Sequence, residues 1–533
     1  MTHTATVPAR LPAARILTAL MFALIALYIA LTFGQHGISN DEEVQHVYGR
    51  LLLDYYGSGL TDLSAFQYKN LYLYGGLFDL IAAAGERLLP AMNVWDMRHQ
   101  LSALFGLAGM VAVHRLARLL LDEWAACVGV LLLMLTGAWS GALFTHTKDI
   151  PFAASMAWAT WYITLVVRQL PAPPLATVLK LGAAIGCAFG LRVGAVFSVM
   201  VLGLTVLAIS ATAAGDWRAK AAHLLRSLQA LLPAVPVALA LMALFWPWSV
   251  QAPGNLFKAL TTFSHFTFQL YTVLDGEVMK IGDVPRSYLP VYLAVRMPEL
   301  TLAGLALAVP AAIGSMRNRP DAWRRWLPVA LAATLPVLLA VATRPSLYNG
   351  IRHFTFLLPP LAVIAAGGLH AGWRVVRQRR VRALCFAALC LLGAVAPLAA
   401  MTRLAPYHYL NYNLLGGGFA GAAAGRWETD YWSDGVREAT GLLNAYIAPE
   451  AHPAEPWQVA VCAESIQAGA WLGPDFIVTR DWVRADFFIS TTHMGCDEVL
   501  AGKVIGQVTR AGSALTIVKD RRAVPSGQRR PLR

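Results

Sequence analysis

The chain has 533 residues, of which 57% are hydrophobic and only 14% are charged. Soluble globular proteins carry roughly 25% charged residues, so this composition, with repeated apolar runs of about 18 to 22 residues, excludes an ordinary soluble domain and indicates a polytopic membrane protein. The net charge of +13 does not indicate nucleic-acid binding, because the basic residues form short clusters between apolar runs, as the positive-inside rule describes.

The first apolar run, residues 16–33, predicts a membrane helix. It is too long for the apolar region of a signal peptide and lacks a small-residue cleavage site, so we expect no cleavage. Arg10 and Arg15 precede it and predict a cytoplasmic N-terminus. The next segment, the first outer loop over residues 35–98, is therefore expected outside the cytoplasm.

Three consecutive carboxylates, Asp41, Glu42 and Glu43, lie in this outer loop. Apolar residues then recur at helical spacing and predict a helix along the membrane surface. A Gly57–Ser58–Gly59 stretch is expected to end that helix. The apolar positions of the helix are Val44, Val47, Tyr48, Leu51, Leu52 and Tyr55.

Ten further apolar runs predict about eleven spans in total, with the N-terminus inside and the C-terminus outside. Every arginine-rich loop then falls on the cytoplasmic side, which makes the assignment self-consistent. A long outer loop covers residues 247–297, and such loops are usually functional. The ten runs are 100–121, 125–144, one ending at 168, 178–191, 194–208, 228–246, 300–314, 327–343, 354–372 and 383–400.

The composition becomes polar after residue 405 and predicts a second domain. We expect a transmembrane domain over residues 1–405, a small extracytoplasmic α/β domain over 406–520, and a basic disordered tail over 521–533. Strand-like runs lie near Val459, Phe487 and Leu515, and a helical pattern lies near Leu442. The pattern leaves open whether the two cysteines of this part, Cys462 and Cys496, form a disulfide or stay free.

The carboxylates after the first span have two explanations. Asn40 and Glu43 have the spacing of a helix capping box, and acidic residues in a first turn complement the helix dipole. Acidic residues at the mouth of an apolar bundle also suit the polar end of an active site. The two explanations are compatible, because a capped helix is a rigid mount for a carboxylate.

A second polar cluster, HTKDIPF, occupies the tight outward turn at residues 146–152. It is either an ordinary polar turn, with Asp149 near a helix start, or part of a functional site to which His146, Lys148 and Asp149 contribute. Because this turn and Asp41 are predicted on the same face of the membrane, their carboxylates could converge.

Several cations are also predicted on the outer side. Arg192 separates two apolar runs, where a mid-bilayer arginine would cost about 2.5 to 3.5 kcal/mol. It either reaches outward to the headgroups or binds an anion such as phosphate, which suits a guanidinium. Arg352 and His353 lie in an outer loop and have the same two explanations.

These features resemble the type C glycosyltransferases (GT-C fold), the class of the protein O-mannosyltransferases and the lipid A aminoarabinose transferase. Asp41-Glu42 stands where that class has an acidic motif after the first helix, and Asp149 matches its second outer-loop acid. The segments YNGIRHF, PYHYLNYN and GRWETDYW, at residues 348–354, 406–413 and 425–432, add to the likeness.

The resemblance implies catalytic roles for Asp41, Glu42 and Asp149, with Asp41 as the base that activates an acceptor hydroxyl. It implies that Lys148, Arg192, Arg352 and His353 bind the donor phosphate. A divalent metal is an option for which the three acids are the candidate ligands. GRWETDYW receives no role.

The resulting prediction is a mainly α-helical integral membrane glycosyltransferase that moves a hexose or pentose from a polyprenyl-phosphate carrier. The resemblance implies that this transfer is a single displacement with inversion. Its partners would be this donor, membrane lipids and a lipid, glycan or protein acceptor. The protein would lie in a bacterial inner membrane, with its active site facing the outside of the cytoplasm. The alternatives are a transporter or flippase of a lipid-linked substrate and a non-catalytic assembly subunit.

Overall fold

The computed structural model of the protein describes residues 11–264, 270–525 and 529. Within these ranges the chain is mainly helical, and each of the eleven predicted apolar runs forms helix. Eight of the described helices are long and apolar enough to cross a membrane, or up to ten if each of two bent pairs is one span. The mainly helical, polytopic class is confirmed, whereas the count of eleven and the orientation stay predictions.

Residues 11–264 form helices α1 to α14. Helix α9, over the fifth apolar run, has only 15 residues, which is short for a span. The helices are α1 Leu11–Thr32, α2 Glu42–Gly57, α3 Leu77–Leu88, α4 Val94–Leu120, α5 Glu123–Met134, α6 Gly137–Ser140, α7 Ala142–Thr145, α8 Asp149–Val167, α9 Leu175–Phe189, α10 Val196–Ala211, α11 Trp217–Leu231, α12 Ala234–Phe245, α13 Trp248–Gln251 and α14 Asn255–Ser264.

Two of the predicted spans are bent, for different reasons. Helices α11 and α12 meet at 41° beside Pro233, which has no N–H to continue the helical hydrogen bonds. Helix α5 meets α6 and α7 at 71°, where the segment 408–411 packs closely. A Cβ at Gly137 would overlap the carbonyl of His408, and one at Gly141 would overlap the backbone of Tyr409.

The start of α2 differs from the predicted capping box. The N-cap residue is Asp41, whose side chain makes no capping bond, and Glu43 is exposed. Instead, Glu42 Oε2 accepts a hydrogen bond from the Ser39 amide at 2.7 Å. The helix itself forms as predicted, ends at Gly57, and buries Tyr48 and Leu52.

Residues 270–525 contain helices α15 to α22 and strands β1 to β7. The hairpin β1–β2 precedes the long helices of this half. The elements are β1 Tyr271–Leu274, β2 Glu277–Lys280, α15 Tyr288–Arg296, α16 Glu299–Asn318, α17 Trp323–Thr343, α18 Leu358–Val376, α19 Arg380–Leu404, α20 Gly418–Ala423, α21 Val436–Ile447, β3 Trp457–Cys462, α22 Ser465–Gly469, β4 Phe476–Val478, β5 Phe487–Thr491, β6 Lys503–Arg510 and β7 Ser513–Asp520.

The C-terminal part contains a five-stranded mixed sheet in the order β4-β3-β5-β7-β6. Strand β3 pairs in parallel with β4 and β5, and β7 pairs antiparallel with β5 and β6. Helix α21 supplies buried Val436 and Leu443 to the same hydrophobic core that runs through the bundle. The predicted strands near Val459, Phe487 and Leu515 and the helix near Leu442 are all present.

Two further expectations concern the C-terminal part. Cys462 and Cys496 form a disulfide, with Cα atoms 6.5 Å apart. The predicted disordered tail starts too early, because Arg521 is buried and donates to the carbonyls of Ala501 and Ala485. Residues 526–528 and 530–533 of that tail lie outside the described residues.

Candidate active site

Asp41 forms an ion pair with Arg352. Its Oδ2 accepts a hydrogen bond from Arg352 Nη2 at 2.9 Å. The Asp41 side chain is 45% exposed, whereas that of Arg352 is only 7% exposed. Asp41 stands at the start of α2, and Arg352 opens the 3₁₀ stretch Arg352–Leu357 before α18. The site therefore has a solvent-exposed carboxylate that is hydrogen-bonded to a buried guanidinium.

Asp149, the first residue of α8, lies between two arginines. Its Oδ1 accepts a hydrogen bond from Arg192 Nη2, and its Oδ2 lies 3.8 Å from Arg352 Nε. Arg192 sits at the break between α9 and α10, and its side chain is mostly buried. The two predicted acidic loops thus meet at Arg352, with Asp149 inside the protein and Asp41 at the opening.

Aromatic rings cover the Arg352 guanidinium. Its Cζ lies 4.2 Å from the ring centre of Trp432 and 5.2 Å from that of Tyr348. Such cation–aromatic contacts gain strength where water is excluded. Trp432 is the last residue of GRWETDYW, which received no role from the sequence, so this segment contributes directly to the candidate site.

His146 supports this aromatic cover as a neutral hydrogen-bond acceptor. Its Nε2 accepts from Trp432 Nε1 at 2.6 Å and lies 3.0 Å from the Tyr431 hydroxyl. Burial, with a smaller contribution from Arg352, holds the pKa of His146 well below its usual value. The imidazole therefore fixes two aromatic side chains and adds no charge.

Lys148 and Arg192 share one aromatic ring, that of Tyr74. Lys148 Nζ lies 4.2 Å from the ring centre and Arg192 Cζ lies 5.9 Å from it. Burial lowers the pKa of Lys148 to about 8, against an opposing effect of Asp79. Three of the four predicted phosphate-binding cations, Lys148, Arg192 and Arg352, are therefore close together.

A cavity of about 250 Å³ is lined by one of these cations, Arg192. Arg192, Tyr348 and His353, the fourth predicted cation, line its polar part. The remaining wall is largely apolar and includes Phe152, Phe197, Phe356, Pro336 and Leu339. A ligand with an anionic head and a hydrocarbon chain matches this division.

Glu42 does not join the other predicted catalytic carboxylates. It is completely buried, and its Oε2 lies 3.1 Å from His99 Nε2. Among the described residues, no three His, Cys, Asp or Glu side chains come together as a metal site would require. The three candidate metal ligands are therefore not gathered in one group, since Asp41 and Asp149 lie at Arg352 whereas Glu42 contacts His99.

The long predicted outer loop, residues 247–297, contributes indirectly. Its hairpin β1–β2 is tied to the GRWETDYW segment by buried Glu428, which accepts from Thr272 Oγ1 at 2.6 Å and the Val273 amide at 3.2 Å. Among its charged residues, Asp275 pairs with Arg426 at the surface. The hairpin thus stabilises the segment that contains Trp432.

The sequence reasoning missed Tyr74 and left Trp432 without a role. Both are aromatic residues whose partners are distant in sequence, and the membrane composition offers many such residues. A usable signal was the density of aromatics in GRWETDYW beside an outer loop rich in cations, because buried arginines often stack on aromatic faces.

Comparisons with known proteins give a partial match to one family model and a shared fold. A family model described as dolichyl-phosphate-mannose-protein mannosyltransferase matches residues 77–239. No curated protein matches the sequence significantly. ArnT from Cupriavidus metallidurans aligns with 17% identity over 95% of this chain and 98% of its own, with TM-scores of 0.53 in the apo state and 0.52 bound to undecaprenyl phosphate.

The apo oligosaccharyltransferase of Archaeoglobus fulgidus aligns with 11% identity over 89% of this chain and 69% of its own, with a TM-score of 0.50. Likeness at such low identity establishes a shared fold, whereas function depends on the site. The match to ArnT extends over the bundle and the C-terminal sheet, because it covers nearly the whole of both chains.

Proposed function

Because this polytopic chain has the GT-C fold and resembles the protein O-mannosyltransferase and aminoarabinose transferase superfamily, we propose that it is a membrane glycosyltransferase. It moves a hexose or pentose from a polyprenyl-phosphate donor to a lipid, glycan or protein acceptor on the extracytoplasmic face. The observation that carries this proposal is the open Asp41 carboxylate on buried Arg352, beside a cavity with a cationic and an apolar part.

The donor occupies the cavity in this proposal. Its phosphate lies near Arg192 and His353, and its isoprenoid chain follows the wall of Phe152, Phe197 and Leu339. The buried Nε groups of Arg192 and Arg352 have no hydrogen-bond partner within the described part of the protein. Buried donors of this kind are costly unless they are paired, so a phosphate oxygen would stabilise them.

The transfer is a single displacement with inversion. The acceptor oxygen attacks the anomeric carbon and forms the new glycosidic bond, while the bond from that carbon to the phosphate oxygen breaks. The electron pair leaves with the polyprenyl phosphate, and the acceptor proton goes to Asp41. Arg192 and Arg352 stabilise the charge that develops on the leaving phosphate.

Arg352 links the two halves of this reaction. In the structure its guanidinium binds Asp41 and lies near Asp149. A donor phosphate that approaches Arg352 shares the cation with Asp41, and the carboxylate is then free to accept a hydrogen bond from the acceptor hydroxyl. Donor binding would therefore prepare Asp41 for the acceptor.

Replacing Asp41 tests the proposal. Mass spectrometry would compare envelope lipids, glycans and proteins from cells that carry the wild type, Asp41→Asn or no copy of the protein. We expect a sugar-modified product with the wild type, and a loss of about 100-fold or more with Asp41→Asn, because general-base catalysis contributes that much.

Glu43→Gln is the matched control, because Glu43 is an exposed carboxylate two residues away. It should retain the product. Near-normal product with Asp41→Asn would refute the assigned base. Movement of a lipid-linked sugar across reconstituted vesicles without a new glycosidic bond would instead support a flippase.

A further inference from the structure

The segment that leads into Asp41 is held by the C-terminal part of the chain. His36 Nδ1 lies 3.5 Å from Asp434 Oδ2, and the Gly37 amide donates to Asp434 Oδ1. Asn40 Nδ2 donates to the Tyr431 carbonyl at 3.0 Å. Three of the five residues before Asp41 therefore depend on groups about 390 to 400 positions later in the sequence.

A fourth residue, Ile38, is held by Gln467 at the short helix α22. Gln467 Nε2 donates to the carbonyl of Ile38 and, at 2.8 Å, to the carbonyl of Trp432. Gln467 Oε1 accepts from the Glu464 amide at 2.8 Å. The residue is 1% exposed, and both the amide nitrogen and the amide oxygen of its side chain are hydrogen-bonded.

The two carbonyls that Gln467 binds belong to the two sides of the candidate site. Ile38 lies three residues before Asp41, and the ring of Trp432 covers Arg352 at 4.2 Å. One buried amide therefore connects the backbone of the carboxylate side with the backbone of the guanidinium side. Loss of that amide would leave two buried carbonyls unpaired, which is costly.

Close backbone approach makes this connection tight. A Cβ at Gly37 would lie 2.5 Å from the Asp434 carbonyl oxygen, so glycine lets the two segments meet. On the bundle side, Glu42 accepts from the Ser39 amide and contacts His99. The bundle thus fixes the segment at Ser39, and the C-terminal part fixes it at residues 36–38 and at Asn40.

We propose that Gln467 is a positioning residue that sets the distance between Asp41 and Arg352, which makes the C-terminal part of the chain a component of the active site. This role rests on the proposed glycosyl transfer. A displacement of about 1 Å in a reacting group can reduce a rate about 100-fold, and Gln467 does not need to touch either substrate to have such an effect.

The test compares Gln467→Met, which keeps the side-chain length without hydrogen bonds, with the wild type in reconstituted vesicles. We expect kcat for transfer to fall about 100-fold, while KM for the polyprenyl-linked donor changes less than about threefold because its cavity is untouched. Hydrogen–deuterium exchange at Gly37, Ser39 and Glu42 should rise about tenfold or more.

Asn444→Leu is the matched control. Asn444 also bridges two backbone groups of the C-terminal part, the Trp471 carbonyl and the Gly473 amide, but does not touch residues 36–40. It should leave exchange at these amides and kcat unchanged. If it reproduces both effects, general loosening of the domain explains them and the positioning role is refuted.

The two proposals can fail separately. If the amides of residues 36–42 exchange at the same rate in Gln467→Met as in the wild type, the positioning role is refuted, whatever the activity. Absence of transfer by the wild type, together with raised exchange in the variant, would refute the function and retain the structural link. If Gln467→Met does not fold, Gln467→Glu, which keeps the shape and removes the amide donors, is judged by the same two measurements.

Discussion

At the scale of single residues, the candidate site is a cluster of unbalanced charge. Three cations, Lys148, Arg192 and Arg352, lie with two carboxylates, Asp41 and Asp149. One positive charge is therefore left over when all five groups are ionised. Because charges interact strongly where water is excluded, this site is suited to an anion such as a phosphodiester.

Lys148 should make donor binding depend on pH. Its pKa is lowered to about 8, so the lysine is charged below that pH and becomes neutral as the pH rises through it. A bound phosphate favours the charged form. We expect KM for the donor to be low and constant below pH 8 and to rise above it, by up to about tenfold per pH unit.

Steady-state kinetics of the reconstituted protein from about pH 7 to about pH 9.5 would measure this rise. In Lys148→Met the KM should be higher at neutral pH and should no longer change through that range. A wild-type KM that is constant across the range, or a rise that persists in Lys148→Met, would show that the donor does not contact Lys148.

The sequence predicted the meeting of Asp41 and Asp149 because alternate loops of a bundle share one face. It did not predict where Glu42 points, because its partner His99 lies on another helix, 57 residues away. Nor did local spacing reveal that the Asn40 side chain would donate to the Tyr431 carbonyl, or that Asp41 would be the N-cap residue of α2 in place of Asn40. Side-chain partners across elements depend on packing that a local pattern does not contain.

At the scale of elements, the pair α16 and α18 shows how the bundle brings helices together. A Cβ at Gly368 would overlap the carbonyl oxygen of Gly304, and one at Gly304 would lie 2.6 Å from that of Ala365. Small residues of this kind allow membrane helices to approach closely. This packing supports α18, which follows directly from the stretch that carries Arg352.

Gly368→Ala should therefore destabilise the protein, by about 1 to 3 kcal/mol, because the added methyl group forces the helices apart. The midpoint of thermal unfolding in detergent would measure the loss. Gly314→Ala, on α16, is the control, because nothing lies within 4 Å of its Cβ position. A Gly368→Ala protein as stable as this control would contradict the close packing.

The existence of the helices could be predicted because apolar length is a strong signal in a membrane protein. The bend at Pro233 was not predicted, although a proline, which interrupts helical hydrogen bonds, makes such a bend readable. The larger bend between α5 and α6 was not, because it accompanies the close approach of residues 408–411 to Gly137 and Gly141. That contact forms only in the folded chain.

At the scale of the whole molecule, the candidate site is assembled from both ends of the chain. Asp41 follows the first helix, whereas Trp432 and Gln467 belong to the last hundred or so residues. The composition predicted a C-terminal α/β part, but it could not predict that this part would hold the segment before Asp41. Such contacts require the bundle and the sheet to be in place together.

This arrangement makes the orientation of the chain testable from two exposed positions. Gln507 lies on β6 of the C-terminal sheet, and Arg379 lies in the arginine-rich turn before α19. The positive-inside rule predicts that the first is outside and the second is cytoplasmic. A membrane-impermeant thiol reagent should therefore label Gln507→Cys in intact cells and leave Arg379→Cys unlabelled.

Both variants would be made in a Cys385→Ser background, because Cys385 is the exposed member of the free cysteines in the described residues. Permeabilised cells provide the control, since Arg379→Cys should then react fully. Labelling of Arg379→Cys in intact cells would reverse the predicted orientation. It would place Asp41, which shares its end of the bundle with the C-terminal sheet, on the cytoplasmic side, where a nucleotide-activated donor could reach it.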